Sequence, residues 1–338
     1  VIAVLHPQVV DEHDDVMTTA ERYRAFAVRE ARGQSPAYEA LALTVSADQR
    51  LLGLLDELPK EKQQPNLLFA AAQYLAAPVT APDEFRAWMV RHWPELSATM
   101  LRRRTQTNEP ARCAAMLPAL ARLPQPLALL EVGASAGLCL YPDAYRYRYG
   151  AAVLGPADSR VRLTCAVSGD VPLPESTPAV VWRAGLDLDP LDVADDDDVR
   201  WLDALIWPEQ QQRRDRLHAA VRVARADPPH LVRGDLLTDL PALAARAPAD
   251  ATLVVFHSAV LAYVPPDTRT AFVELVRSLP GHWISNEGTG ILPGLMPAAG
   301  VDADGPALFL LALDGRPVAL TGPHGQEIRW LIPHTVSV

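Results

Sequence analysis

Cysteine is scarce in this chain: three residues in 338, at Cys113, Cys139 and Cys165. They are too few and too far apart for a disulfide framework or a zinc knuckle, so a reducing, cytoplasmic setting is expected. Positive charge is short as well. Lysine and arginine total 31 against 41 acidic residues, a net charge of −10, which removes any general attraction to nucleic-acid phosphates or anionic membranes. The one tight basic cluster, Arg102-Arg103-Arg104, reads as a solvated helix face or as ion-pair partners. Long apolar runs are missing. The opening Val1-Ile2-Ala3-Val4-Leu5 stops at His6-Pro7 with no basic residue before it, so neither a signal peptide nor a membrane-spanning helix is expected. Metal-ligand spacing is missing too. The nine histidines never stand four apart, and the acid-rich stretch Asp192–Asp198 lacks the glycine of a calcium loop, so it reads as a solvated loop and no metal site is expected.

What is plentiful is apolar material, 49% of residues, and proline, 31 residues. That is enough core for one large domain or two ordinary ones. Residues 1–123 read as an all-α N-terminal domain, with helical periodicity near 20–27, 37–44, 47–58, 65–77, 83–92, 95–103 and 109–122, punctuated by Gly33 and by prolines. The character changes at Pro124-Gln125-Pro126. Over 124–338, short apolar runs at 127–132, 179–183, 231–235, 252–257 and 282–286 alternate with helical stretches at 208–226, 238–246 and 267–279. Such alternation predicts an α/β domain with a parallel sheet covered on both faces. Runs at 307–313, 318–320 and 328–332, with Asp314-Gly315 and Gly322-Pro323 between them, predict an antiparallel C-terminal hairpin. A hairpin insertion is expected at about 141–178. There Tyr145-Arg146-Tyr147-Arg148-Tyr149 alternates strictly, and a second strand is expected over 160–167. Tyr147 is a candidate wall of a ligand site.

The most informative stretch is Leu129–Leu138, in which an apolar run ends in Glu131 and the small residues Gly133, Ser135 and Gly137 follow. It reads as a buried strand, a tight turn and a helix start. Such a turn lets backbone approach a ligand and offers it free N–H groups. The same residues fit Gly-x-Ser-x-Gly, the elbow that presents a nucleophilic serine; Asp235 with His257 or His282 would then complete a hydrolase triad. The helical region that precedes this stretch argues against a hydrolase sheet, which needs several strands before its elbow. Acids also end the next runs: Asp187 and Asp189 after the second, Asp235 after the third. A carboxylate there can accept two hydroxyl hydrogen bonds, as a ribose diol requires, or can cap a turn. Gln106, Asn108, Glu109 and Arg112 lie just before the first strand and offer donors and acceptors to a polar small molecule, or a helix cap made by Thr107 or Asn108.

Glu131-Val132-Gly133-Ala134-Ser135-Ala136-Gly137, with acids at successive strand ends and Phe256-His257-Ser258 at the fourth, resembles the motif order of class I S-adenosylmethionine-dependent methyltransferases. That resemblance implies a seven-stranded Rossmann-like sheet and S-adenosylmethionine as cofactor. Glu131, Gly133, Ser135 and Gly137 would hold its methionine end, Asp187 the ribose and Asp235 the adenine. His257 and Glu287 are the candidate bases for a small-molecule acceptor, with Gln106, Asn108, Glu109, Arg112 and Tyr147 lining its site. A protein that binds the cofactor or a nucleotide without transfer, and a serine hydrolase using Ser135, are the alternatives. Ser-Pro-x-Tyr-Glu at 35–39, Gln-Thr-Asn-Glu at 106–109 and Ile-Trp-Pro-Glu at 206–209 further resemble a bacterial family known only as a domain of unknown function. That second resemblance covers nearly the whole chain and implies that the helical and sheet regions recur together.

Overall fold

A computed structural model of the chain describes residues 17–106, 108–292, 294–295 and 308–332. Val1–Leu5, Thr107 and Ala307, on which some expectations fell, lie outside the described residues. The described chain forms two compact units. One holds the residues up to 106 together with Asp195–Asp215, and the other holds Asn108–Ala194 and the residues from Arg216 on.

The first unit is helical: α1 (Thr19–Phe26), α2 (Pro36–Ala47), α3 (Gln49–Asp56), α4 (Pro65–Tyr74), α5 (Pro82–Arg91) and α6 (Trp93–Arg102). Proline opens α2, α4 and α5 at their first position, where its missing N–H has no helical partner to lose. The buried rings of Tyr23, Phe26, Tyr38, Phe69 and Phe85 meet at the centre, with Phe69 touching the other four at centroid distances of 4.9–6.1 Å. Helix α7 (Arg112–Leu120), which the periodicity places in the helical region, belongs to the second unit. In exchange α8 (Asp196–Ala204) joins the first. The acid-rich stretch is therefore a helix start and not a solvated loop. Asp195 caps α8 by accepting from Asp197 N–H at 2.8 Å, and three further aspartates face the positive end of its dipole. Arg103 and the Tyr74 hydroxyl hold Asp197 and Asp198. Gln73 Nε2 donates to the carbonyls of Ala204 and Ile206 at 3.1 and 2.9 Å, and Glu209 accepts from the Ser35 hydroxyl at 2.6 Å and Ala37 N–H at 3.0 Å. The two family-like strings at 35–39 and 206–209 thus bind each other.

The second unit is built on β1 (Leu127–Val132), β2 (Arg146–Tyr149), β3 (Ala152–Leu154), β4 (Arg162–Thr164), β5 (Ala166–Ser168), β6 (Val180–Asp187), the part of α9 (Gln211–Ala226) from Arg216 on, β7 (His230–Arg233), α10 (Leu240–Ala244), β8 (Thr252–Ser258), α11 (Pro266–Ser278), β9 (His282–Gly288), β10 (Phe309–Leu313), β11 (Arg316–Thr321) and β12 (Glu327–Trp330). Nine strands form one sheet in the order β5-β12-β11-β10-β9-β8-β1-β6-β7, and β3-β2-β4 form a small second sheet. The sheet is larger than the seven strands expected. Its C-terminal part is a three-strand antiparallel meander, and β5 adds a parallel edge to β12. The expected second strand over 160–167 divides accordingly, β4 joining the small sheet and β5 the large one. From β7 through β9 the neighbours run parallel in a doubly wound order, third-second-first-fourth-fifth by chain position, with all six residues of β1 buried at the centre.

One expectation fails outright. No helix follows the glycine-containing loop: residues 133–145 are turns and bends, and the chain passes through the small sheet and β5 before β6. Pro142 disfavours helical backbone in the residue before it. Asn108 captures the Leu138 N–H at 2.7 Å, and Gly137 has a φ of +71°, both of which turn the chain away from a helical path.

Candidate functional site

The switch point of the parallel sheet lies between β1 and β8, where the chain order reverses; in open α/β sheets ligands bind at the carboxyl ends of the strands there. Register divides the side chains at that end between two faces. Glu131 pairs with Phe256 on β8, and Ser258 with Asn286 on β9. Because in-register residues share a face and neighbours along a strand alternate, Glu131, Ser258 and Asn286 lie on one face. His257, Ser285 and Glu287 lie on the other.

The second face is closed. His257 is fully buried, and its Nδ1 meets Glu287 Oε1 at 2.6 Å. Its Nε2 meets Trp283 Nε1 at 3.0 Å. An indole N–H only donates, so Nε2 is the acceptor and Nδ1 carries the proton. Glu287 also accepts from the N–H groups of Val260 and Leu261 at 3.0 and 3.2 Å. Both candidate bases are thus committed to holding the loop after β8, in a core with Val255, Phe272 and Val276.

The loop after β1 is tied down from several directions. Gly133 and Ala134 donate to the Leu186 carbonyl, Gly137 to that of Ala134, and Leu138 to Asn108. Asn108 Nδ2 returns a bond to the Ala134 carbonyl at 3.2 Å. Asp187 accepts from Ser135 N–H at 2.7 Å and from Asp189 N–H at 2.8 Å, which joins the loops after β1 and β6. The glycines serve packing. A Cβ on Gly133 would lie 2.4 Å from Val260 Cγ2, and one on Gly137 would meet Pro229 at 3.0 Å. Ser135 is buried with a φ of +50°, a strained turn of the kind a nucleophile elbow uses. The helix of an elbow does not follow it, His257 is engaged as above, and His282 pairs with Asp314 at the amino end of β9.

The other candidates divide as follows. Asp235 accepts from Leu237 and Thr238 N–H groups and so closes a turn. Asp189 pairs with Arg233 at 2.6 Å. Glu109, buried, pairs with Arg216 at 2.7 Å. Tyr147 is fully buried, stacks on Tyr149 and donates to the Pro142 carbonyl at 2.6 Å, so it is a packing residue of the small sheet and not a wall. Gln106 is half-buried in the helical unit.

Glu131 stands apart. It is 4% exposed, and its Oε2 has no hydrogen-bond partner among the described residues. Burial pushes its carboxyl well above the usual carboxylate range, the nearby Cys139 adds to the rise, and the Arg112 guanidinium opposes it. Arg112, also buried, reaches across the end of β8 and donates from Nη1 to the Ser258 carbonyl and from Nε to the Pro323 carbonyl, both at 3.0 Å. Beside it Thr321 Oγ1 meets Asn286 Oδ1 at 2.7 Å, and Asn286 Nδ2 meets Ser258 Oγ at 3.0 Å. Sequence reasoning missed Ser258, Asn286 and Thr321. Alternation separates His257 from Ser258, but only strand pairing reveals which of them shares a face with Glu131.

A family model described as "Uncharacterized protein conserved in bacteria (DUF2332)" matches residues 20–330. No curated protein matches the chain, and no solved structure does. No helix among the described residues is long and apolar enough to cross a membrane, and no cluster of three or more potential metal ligands occurs among them.

Proposed function

We propose that this chain, which belongs to the DUF2332 family of uncharacterised proteins conserved in bacteria, binds S-adenosylmethionine at the carboxyl ends of β1, β6 and β8 and transfers its methyl group to a small molecule. The observation that carries the reading is the partnerless, buried Oε2 of Glu131 at the switch point. A buried carboxylate atom without a donor is costly, and a cationic amine is the group that satisfies it best. Glu131 would hold the ammonium group of the cofactor's methionine end. Asp187, fixed by its two backbone bonds, would face the ribose. When bound, the cofactor supplies an electrophilic methyl group. The chain's own contribution is then chiefly orientation, worth roughly 7–11 kcal/mol at best. Because both nitrogens of His257 are engaged, the acceptor this reading favours arrives with its own unprotonated lone pair.

The test is calorimetric titration of the full chain with S-adenosylmethionine and S-adenosylhomocysteine. Binding is expected, with net proton release as the Glu131 carboxyl ionises against the incoming ammonium. Glu131→Gln should weaken it by about tenfold or more, since a hydrogen bond to a charged group contributes roughly 1.5–3 kcal/mol. No binding of either compound at roughly millimolar concentration, an affinity worth only about 4 kcal/mol, would overturn the reading. The closed His257–Glu287 pair also favours a second reading, cofactor binding without transfer, which predicts equal binding and no methylated product. The strained φ of Ser135 is the one observation favouring a serine hydrolase, and fluorophosphonate labelling of Ser135 would establish it.

A further inference from the structure

The polar row that shares a face with Glu131 is directional. At 2.7 Å the Thr321–Asn286 contact has the length of an O–H···O bond, and at 3.0 Å the Asn286–Ser258 contact has that of an N–H···O bond. Thr321 therefore donates to Asn286 Oδ1, which turns the amide so that Nδ2 donates to Ser258 Oγ. The proton of Ser258 is left to point away from Asn286. The row also has a closed and an open end. Asn286 and Thr321 are 0% exposed, whereas Ser258 keeps 6%. Arg112, 7% exposed, donates to the carbonyl of that same serine. A guanidinium offers five N–H donors and no acceptor, and two of the five are engaged by the Ser258 and Pro323 carbonyls. The Ser258 end of the row thus carries a hydroxyl donor on the same residue whose backbone carbonyl accepts from the Arg112 cation, one residue along the strand from His257 but on the opposite face.

We propose that Ser258 and Arg112 form a recognition site for a carboxylate of the bound small molecule, with Thr321 and Asn286 as positioning residues that aim the Ser258 proton. A carboxylate is acceptor-only and matches two donors, one of them a planar guanidinium. The site deepens the methyl-transfer reading, on which it rests for the identity of its neighbour at Glu131. The carboxylate comes either from the methyl acceptor or from the methionine end of the cofactor itself.

The experiment is thermal unfolding of the full chain titrated with acetate, benzoate and succinate and with the matched amides, at fixed ionic strength, with and without saturating S-adenosylhomocysteine. Carboxylates are expected to raise the transition temperature where amides do not. Persistence of the response beside S-adenosylhomocysteine assigns the site to the acceptor, and its loss assigns the site to the cofactor's own carboxylate. Ser258→Ala should abolish most of the response, Ser258→Thr should retain it, and Thr321→Val should weaken it about threefold to tenfold with amide behaviour unchanged, the size expected for one aimed hydrogen bond. Arg112→Gln should abolish it as well. If that variant fails to fold for want of its bonds to two carbonyls, the Ser258 and Thr321 pairs still decide. Equal responses to carboxylates and amides, or an unchanged response in Ser258→Ala, would sink the proposal. Failure of S-adenosylhomocysteine to bind while carboxylates still act through Ser258 would sink only the cofactor reading.

Discussion

Gly133→Ala asks whether the glycines of the loop after β1 serve a ligand or the fold. Gly133 has a φ of +70°, a left-handed conformation that costs an L residue roughly 1–2 kcal/mol. Its added Cβ would also lie 2.4 Å from Val260 Cγ2 and 2.8 Å from Cγ1. Valine is stiff about χ1, and the Val260 backbone is held by Glu287, so neither partner yields easily. Overpacking of that kind costs about 1–3 kcal/mol. The expected destabilisation is therefore roughly 2–5 kcal/mol, a fall of about 4–20 °C in the unfolding temperature for a unit of some 200 residues. Chemical denaturation followed by tryptophan fluorescence measures it. Adding Val260→Ala should recover the overpacking share, about 1–3 kcal/mol, and leave the backbone share in place. A Gly133→Ala loss below about 1 kcal/mol, or no recovery in the double variant, would refute the packing argument and return Gly133 to a ligand-facing role.

Glu287→Gln sets an NH₂ against the Val260 N–H that Oε2 now accepts from; the expected loss is roughly 1–3 kcal/mol by denaturation, with faster hydrogen exchange at Val260 and Leu261, and unchanged exchange there would contradict the role given to Glu287. Glu131 titrates in the opposite sense to a paired carboxylate. Burial raises its folded-state pKa, so the folded chain holds a proton that the unfolded chain has already released, and stability falls as pH climbs from the ordinary carboxyl value of 4.5 toward the raised one. Glu131→Gln should flatten the stability profile over that window, and a profile as steep as the parent's would show that another group is responsible. Nicotinamide dinucleotides and ATP should produce no titration heat, because the loop after β1 has no helix N-terminus behind it to take a phosphate.

The strands of the parallel sheet were legible because each is a compact apolar run closed by turn residues. Leu127–Val132 coincides with its expected bounds, and Thr252–Ser258 differs from them by one residue. Helices opened by proline, such as α2, α4 and α5, were equally plain. Helix α8 was hidden because four consecutive aspartates look like a solvated loop. Their role as cap and dipole partners emerges only when Tyr74 and Arg103 are brought beside them. The pairing of β5 with β12 joins residues about 160 positions apart, and no local pattern encodes such a contact. The site was half legible for the same reason. Glu131 could be picked from its strand end, but which of His257 and Ser258 shares its face follows from strand register, which a single chain of letters does not display.

The missing helix is what gives the candidate site its chemical character. In a doubly wound sheet the turn after the first strand ordinarily combines close backbone approach with the positive end of a helix dipole, and the combination selects phosphates. Here the N–H groups of Gly133, Ala134, Ser135, Gly137 and Leu138 are all bonded within the chain, and no dipole stands behind them. The switch point keeps instead a buried carboxyl oxygen with no partner among the described residues and, beside it, an arginine that donates to two backbone carbonyls. On the proposed reading, such a site would favour a molecule carrying separate positive and negative groups over a polyanion. Under the proposed reading, S-adenosylmethionine meets that requirement through the ammonium and the carboxylate of its methionine end.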